Sequence, residues 1–154
     1  MISAATGADH KGFIEEVQCQ FNTYFAGDKL GIHPALRCIV FGTAISEGSK
    51  TEFDYVWSEY LNSTSVDGKE ITLQAMGRVK QQDLVESYLE RMITDDIPLQ
   101  NTHYVSSSLA ANSDARPFVW KFVEKNWDTI YKMMSENMVT LNRFVRTALS
   151  KYSD

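Results

Sequence analysis

The sequence is short of nearly everything that marks an enzyme site or a membrane protein. It holds three histidines, two cysteines, three prolines and eight glycines in 154 residues. No apolar run reaches the length needed to cross a bilayer. The first twelve residues are small and polar, without the basic start and apolar stretch of a signal peptide. No basic excess exists either: the formal net charge is −5, against the basic face expected of a nucleic-acid binder. The readings are therefore no membrane and no nucleic acid as partner, and an acidic, cysteine-poor chain that suits the cytoplasm. Cys19 and Cys38 lie in apolar helical contexts and read as buried reduced thiols, with a disulfide between neighbouring helices as the alternative.

The histidines carry no metal pattern. His10, His33 and His103 are never paired at the i, i+4 spacing of a zinc helix, and there is no Cys-x-x-Cys. A lone histidine in such sequence reads as a surface or capping residue. Ser106-Ser107-Ser108 lacks the Gly-x-Ser-x-Gly frame of a nucleophile elbow. Glu15-Glu16 and Asp95-Asp96 are adjacent carboxylates, and neighbours on a helix do not face each other. Asn62-Ser63-Thr64 matches a glycosylation acceptor, a pattern common by chance. Trp57, Trp120 and Trp127 sit in amphipathic stretches and read as core, with a substrate platform as the alternative.

What is present is helical periodicity. Eight segments can be read. Phe13, Ile14, Val17, Phe21, Tyr24 and Phe25 form one stripe over residues 9–25, which ends at Gly27. Pro34 suits the first position of a second helix. Ser49 with Glu52 is a capping box opening a third, in which Phe53, Val56, Trp57, Tyr60 and Leu61 recur at helical spacing. A polar turn over 62–67 precedes a fourth helix with Ile71, Leu73 and Met76. Leu84, Val85, Tyr88, Leu89 and Met92 mark a fifth, and a sixth runs from Pro98 to Asn112. Asp114 can cap a seventh that continues through Val119, Phe122, Trp127, Ile130 and Met134. The eighth carries Met138, Leu141, Phe144, Val145 and Leu149.

No period-2 alternation bounded by hairpin turns occurs, so the fold class is all-α. The spans 51–79, 82–112 and 114–151 each have the length of a two-helix repeat. Antiparallel pairs stacked as a HEAT- or ARM-like α-solenoid are expected, with a compact bundle as the competing arrangement. Residues 1–8 read as a flexible segment and 9–154 as the helical domain.

Several blocks resemble one family in order and spacing. They are Gly27-Asp28-Lys29 with Ile32-His33-Pro34-Ala35-Leu36-Arg37, and Val66-Asp67-Gly68-Lys69-Glu70-Ile71 with Ala75-Met76-Gly77-Arg78-Val79-Lys80. Pro98-Leu99-Gln100-Asn101, Leu109-Ala110-Ala111-Asn112 and Ala115-Arg116-Pro117-Phe118-Val119-Trp120 follow. Lys125-Asn126-Trp127-Asp128, Asn137-Met138-Val139, Asn142-Arg143-Phe144 and Leu149-Ser150-Lys151-Tyr152 complete the set. Together they resemble the C-terminal helical domain of the M1-family zinc aminopeptidases, most of all the fungal puromycin-sensitive-like members. Asn101 stands where the family pattern has Asp, and Gln81-Gln82 displace Asp83.

The resemblance implies a parent whose zinc, and the motifs that hold it, lie in a separate catalytic domain. This chain would hold no cofactor, would be inactive alone, and would match the later portion of a solenoid that arches over that domain. Its partners would be the parent's catalytic domain and the parent's peptide substrate. An arginine on such a wall suits a peptide carboxylate, because guanidinium binds it through two hydrogen bonds. Arg37, Arg143, Arg78 and Arg116 fall in family-like blocks, with Gln100 as a further candidate; holding helix-end carbonyls is the structural alternative for each. The other functional reading is a free-standing α-solenoid scaffold that binds protein. A solenoid parted from its neighbours exposes apolar surface, so self-association of the isolated chain is a further expectation.

Overall fold

The computed structural model describes residues 11–149, the side chain of Leu149 aside. Among them are nine α-helices, one 3-10 turn and no strand. The all-α expectation holds. The segment 1–8, His10 and the chain end from 150 lie outside the described residues. The helices fall into two compact units, residues 1–76 and 77–154.

The first unit contains α1 (Lys11–Phe25), α2 (Pro34–Glu47), α3 (Lys50–Asn62) and α4 (Val66–Met76). α2 packs against α1, α3 and α4, and α3 packs against α4. The stripe of α1 buries Val17, Phe21 and Tyr24 against α2, where Phe41 meets Phe21 edge-on at 6.1 Å and Tyr24 at 5.3 Å. Such pairs add to plain area burial. The capping box opens α3 as expected, with the Ser49 amide donating to Glu52 Oε2 at 2.7 Å. α4 begins at Val66, inside the stretch that composition marks as a turn. Ser65 explains it: its hydroxyl accepts the Gly68 N–H at 2.9 Å and supplies a cap at the start.

The second unit contains α5 (Gln82–Ile93), a 3-10 turn (Leu99–Asn101), α6 (Thr102–Ala111), α7 (Arg116–Lys125), α8 (Trp127–Met134) and α9 (Met138–Leu149). α5 packs on α6, α7 and α8, while α6 packs on α7 and α9. Its core includes Leu84, Tyr88, Leu89, Met92, Val105, Leu109, Val119, Phe122, Ile130 and Phe144. Thr102 and Ser106 are buried but satisfied, since their hydroxyls donate to the Leu99 and His103 carbonyls. Within each unit, consecutive helices pack on one another in the α-solenoid manner.

Four local expectations need correction. The seventh helix is two helices, because Asn126 leaves helical geometry and its amide donates to the Phe122 carbonyl at 2.9 Å. Asp114 does not cap α7: Ala115 holds that position, and the Asp114 N–H instead donates to Asn112 Oδ1. Trp57 is buried, but Trp120 and Trp127 are 42% and 41% exposed, lying beside the buried stripes of α7 and α8. Cys19 is exposed, because it faces away from Val17 and Phe21 on α1; Cys38 is half-buried, and no disulfide joins the two.

Within the second unit, the segment that leads into α5 is held by Asn112. Its amide nitrogen donates to the Gly77 carbonyl at 2.9 Å and to the Val79 carbonyl at 2.6 Å. Gly77 is needed there, because a Cβ would overlap both the side chain and the backbone of Ser108 on α6. Asn112→Ala removes these two hydrogen bonds and the one that Oδ1 accepts from the Asp114 N–H, a cost of about 1–3 kcal/mol. Gly77→Ala must push α6 away at a cost of about 1–3 kcal/mol. Urea unfolding of the two variants reads both losses, and an unchanged midpoint for either contradicts this account.

Candidate functional site

The five residues proposed from sequence do not form one cluster. Arg37 lies in the first unit, and Arg78, Gln100, Arg116 and Arg143 lie on four different segments of the second.

Arg37 belongs to a braced connection between α1 and α2. Gly27, with φ of 125°, ends α1: its N–H donates to the Tyr24 carbonyl and the Asp28 N–H to the Thr23 carbonyl. Asp28 Oδ1 accepts the Leu30 N–H, and the Asp28 carbonyl accepts the Gly31 N–H. Ile32 is buried. His33 caps α2 by accepting the Ala35 N–H at 3.3 Å, and Pro34 takes the first helical position. Arg37 then donates to the Lys29 carbonyl at 3.2 Å and lies over the Tyr24 ring. Lys29 Nζ reaches Glu59 Oε2 at 2.7 Å and sits 4.0 Å from the centre of the Tyr24 ring, whose hydroxyl donates to Glu59 Oε1.

Two ionisations follow from this packing. Burial, then the hydrogen bond to Glu59, pushes the Tyr24 phenol well above its ordinary value, so it stays a donor. Burial alone would raise Glu59. The hydrogen bonds from Lys29 and Tyr24, with the charges of Lys29 and Arg37, outweigh it and hold the carboxyl below its ordinary 4.5.

In the second unit Arg116 Nε donates to the Ala110 carbonyl at 2.8 Å, near the end of α6. Gln100 is exposed in the 3-10 turn, and its backbone carbonyl accepts from His103 Nδ1 at 2.8 Å. Arg78 is exposed between buried Gly77 and Val79. Both arginines bonded to backbone, Arg37 and Arg116, hold the chain where one element ends and another begins.

Arg143 is placed differently. Asn137 Oδ1 accepts the Thr140 N–H and caps α9, while Leu141, Phe144 and Ala148 turn inward. The opposite face carries Met138, Val139, Asn142, Arg143, Arg146 and Thr147, which line a shallow open depression of about 570 Å³. Met138 is 61% and Val139 79% exposed. Among the described residues neither guanidinium has a hydrogen-bond or ion-pair partner, and no carboxylate lines the depression. Arg146 was missed from sequence because it falls outside the family-like blocks; its place three residues beyond Arg143, one turn on, is the signal that finds it.

The described residues contain no group of three histidine, cysteine, aspartate or glutamate side chains arranged to hold a metal. His33 and His103 are engaged with their own backbone. The described residues therefore do not fit a zinc site.

The fold thus defines an all-helical domain in which Arg37, Asn112 and Arg116 hold backbone carbonyls where helices begin and end. The family described as ERAP1-like C-terminal domain matches residues 1–154, and the chain belongs to it. This agrees with the resemblance to the C-terminal domain of M1-family aminopeptidases. Aminopeptidase 2 of Candida albicans is 26% identical over 154 residues, covering 99% of this chain and 17% of that protein. Mitochondrial aminopeptidase 2 of Saccharomyces cerevisiae is also 26% identical, over 99% of this chain and 16% of its own length. Aminopeptidase N of Oryctolagus cuniculus is 26% identical over 79% of this chain and 13% of its own length. The chain therefore spans less than a fifth of the length of the curated relatives it matches.

The Glu59 clamp has a testable pH dependence. Its folded value is depressed, so its stabilisation is present above the unfolded value and is lost as pH falls through the lower folded one. Glu59→Gln should weaken the first unit at neutral pH and flatten its decline below pH 4.5. Denaturant titrations at pH 7 and in that acid range check this; an unaltered acid limb in the variant contradicts it.

Proposed function

We propose that this domain is the non-catalytic C-terminal part of a zinc aminopeptidase, where it walls the active-site cavity and helps select and position peptides. Its partners are the catalytic domain of the same parent chain and the peptide substrate. Zinc and the chemistry it supplies belong to the rest of that parent. Membership of the family and the aminopeptidase names of the relatives support the setting.

The observation that carries the positioning role is the open face of α9. Two guanidiniums without a partner among the described residues stand beside exposed Met138 and Val139. A planar guanidinium binds a carboxylate through paired N–H groups, and an adjoining apolar surface accepts the side chain next to it. Such contacts lie far from the scissile bond. They act by holding the peptide, which places its amino end and raises the effective concentration of the reacting groups. Of the five candidates, Arg143 is the one this reading keeps as substrate-facing, joined by Arg146. Arg37 and Arg116 act as backbone braces, and nothing in their surroundings favours Arg78 or Gln100 for peptide.

In the full-length aminopeptidase, Arg143→Ala with Arg146→Ala should lower kcat/KM for a peptide of several residues by about tenfold to a hundredfold, the worth of a charge-assisted contact. The same peptide with an amidated C-terminus should already be slow and lose little more. A chromogenic single-residue substrate, too short to reach the wall, should be unaffected. Equal losses on all three substrates would contradict the proposal.

A further inference from the structure

The depression on α9 holds more positive charge than one peptide end uses. Arg143 and Arg146 stand one turn apart on the same face, and both are exposed. Among the described residues neither is hydrogen-bonded or ion-paired, and the other lining residues, Met138, Val139, Asn142 and Thr147, carry no charge. Two full charges therefore face solvent on side chains whose Cβ atoms lie about 5–6 Å apart. The chain that carries them is acidic, with 20 Asp and Glu against 15 Lys and Arg. Such a chain repels an acidic ligand on average, so attraction at this face has to come from the pair itself. A terminal carboxylate engages one guanidinium through paired N–H groups and leaves the second charge uncompensated. The order of residues along the helix says what compensates it. Met138 and Val139 lie in the first turn of α9, and Arg146 in the last. Val139 precedes Arg143 by four residues, so the two are surface neighbours. Helical side chains lean toward the N-terminus of their helix, which carries the guanidiniums toward the apolar end.

We infer that Arg143 and Arg146 together select peptides that end in an acidic residue preceded by an apolar one. The two carboxylates of a C-terminal Asp or Glu belong to a single residue, so both fall within reach of side chains one turn apart. Each guanidinium then takes one carboxylate. The preceding apolar side chain covers Met138 and Val139, which are 61% and 79% exposed. That surface favours a peptide over an inorganic anion, which would use the charges and leave the apolar rim wet. The inference rests on the reading of this face as the seat of the peptide's carboxyl end, and adds to it a second carboxylate. Because both arginines are exposed, the second contact changes kcat/KM by about threefold to tenfold. It also weakens as salt shortens the range of the field.

The test measures kcat/KM of the full-length aminopeptidase on peptides of one sequence that end in leucine–glutamate, leucine–glutamine, serine–glutamate or amidated leucine–glutamine. The native enzyme should favour the glutamate end over the glutamine end by about threefold to tenfold at low salt, and by clearly less in about 0.5 M salt. Serine in place of the leucine should lower the rate. Arg143→Gln and Arg146→Gln should each bring the glutamate-to-glutamine ratio close to one, while Arg146→Lys keeps most of it. The ratio is taken within each variant, so a variant that folds less well lowers both rates and leaves the ratio alone; the salt series needs no variant at all. A native ratio of one, with amidation still slowing the glutamine peptide, overturns the inference and leaves the carboxyl-end reading standing. If amidation changes nothing, that reading falls and the inference with it. A preference for glutamate that survives both glutamine variants, or that ignores salt, places its origin elsewhere and also overturns the inference, as does a serine that serves as well as the leucine.

Discussion

The constraint on which this structure depends is the satisfaction of backbone groups where short helices end. The nine helices run from 8 to 15 residues, lengths at which an isolated helix is marginal in water. Each survives only by packing an apolar face on its neighbours, and each packing geometry is set by the connection that precedes it. A helix leaves up to four N–H groups open at its start and up to four carbonyls open at its end. The chain meets that demand with a small set of polar side chains. Asn112 holds the Gly77 and Val79 carbonyls, Asn126 the Phe122 carbonyl, Asn137 the Thr140 N–H, and Arg116 the Ala110 carbonyl.

The family-like blocks gain a physical meaning from this. Gly27-Asp28-Lys29 and His33-Pro34 build the turn between α1 and α2. Gly77 and Asn112 meet where α4 gives way to α5, and Asn126 divides α7 from α8. These blocks carry chemistry for joining helices, and Arg37 and Arg116 within them brace backbone carbonyls. Function is then left to surfaces the joints do not use. The outer face of α9 is such a surface, since its arginines have no partner among the described residues.

Much of the fold was legible because amphipathic periodicity reports burial directly. The stripe Val17, Phe21 and Tyr24, the capping box at Ser49 and Glu52, and the inward row Leu141, Phe144 and Ala148 need only helical geometry to be read. What escaped were events that periodicity does not record. Phe122, Val123, Trp127, Ile130 and Met134 keep helical spacing straight across Asn126, so the break there is carried by one amide bonding backward. Ser65 starts α4 inside a stretch whose composition signals a turn. Trp120, Trp127 and Cys19 lie beside a buried stripe, and apolar character alone does not say on which side of the stripe a residue falls. The site was less legible. Arg143 was singled out for its block, but its open, unpaired surroundings, and Arg146 beside it, emerge only when the helix is placed in its unit.

The joint account makes a demand opposite to that of local propensity. Alanine is the best helix former, so replacing Asn112, Asn126 and Asn137 together by alanine should lengthen helices if intrinsic preference governed this chain. Denaturant unfolding followed by circular dichroism decides between the two. If the joints govern, the triple variant unfolds at a clearly lower denaturant midpoint and with a broader transition than the native chain, in spite of its better helix formers. A triple variant that is equally or more stable, with the same sharp transition, would contradict the account.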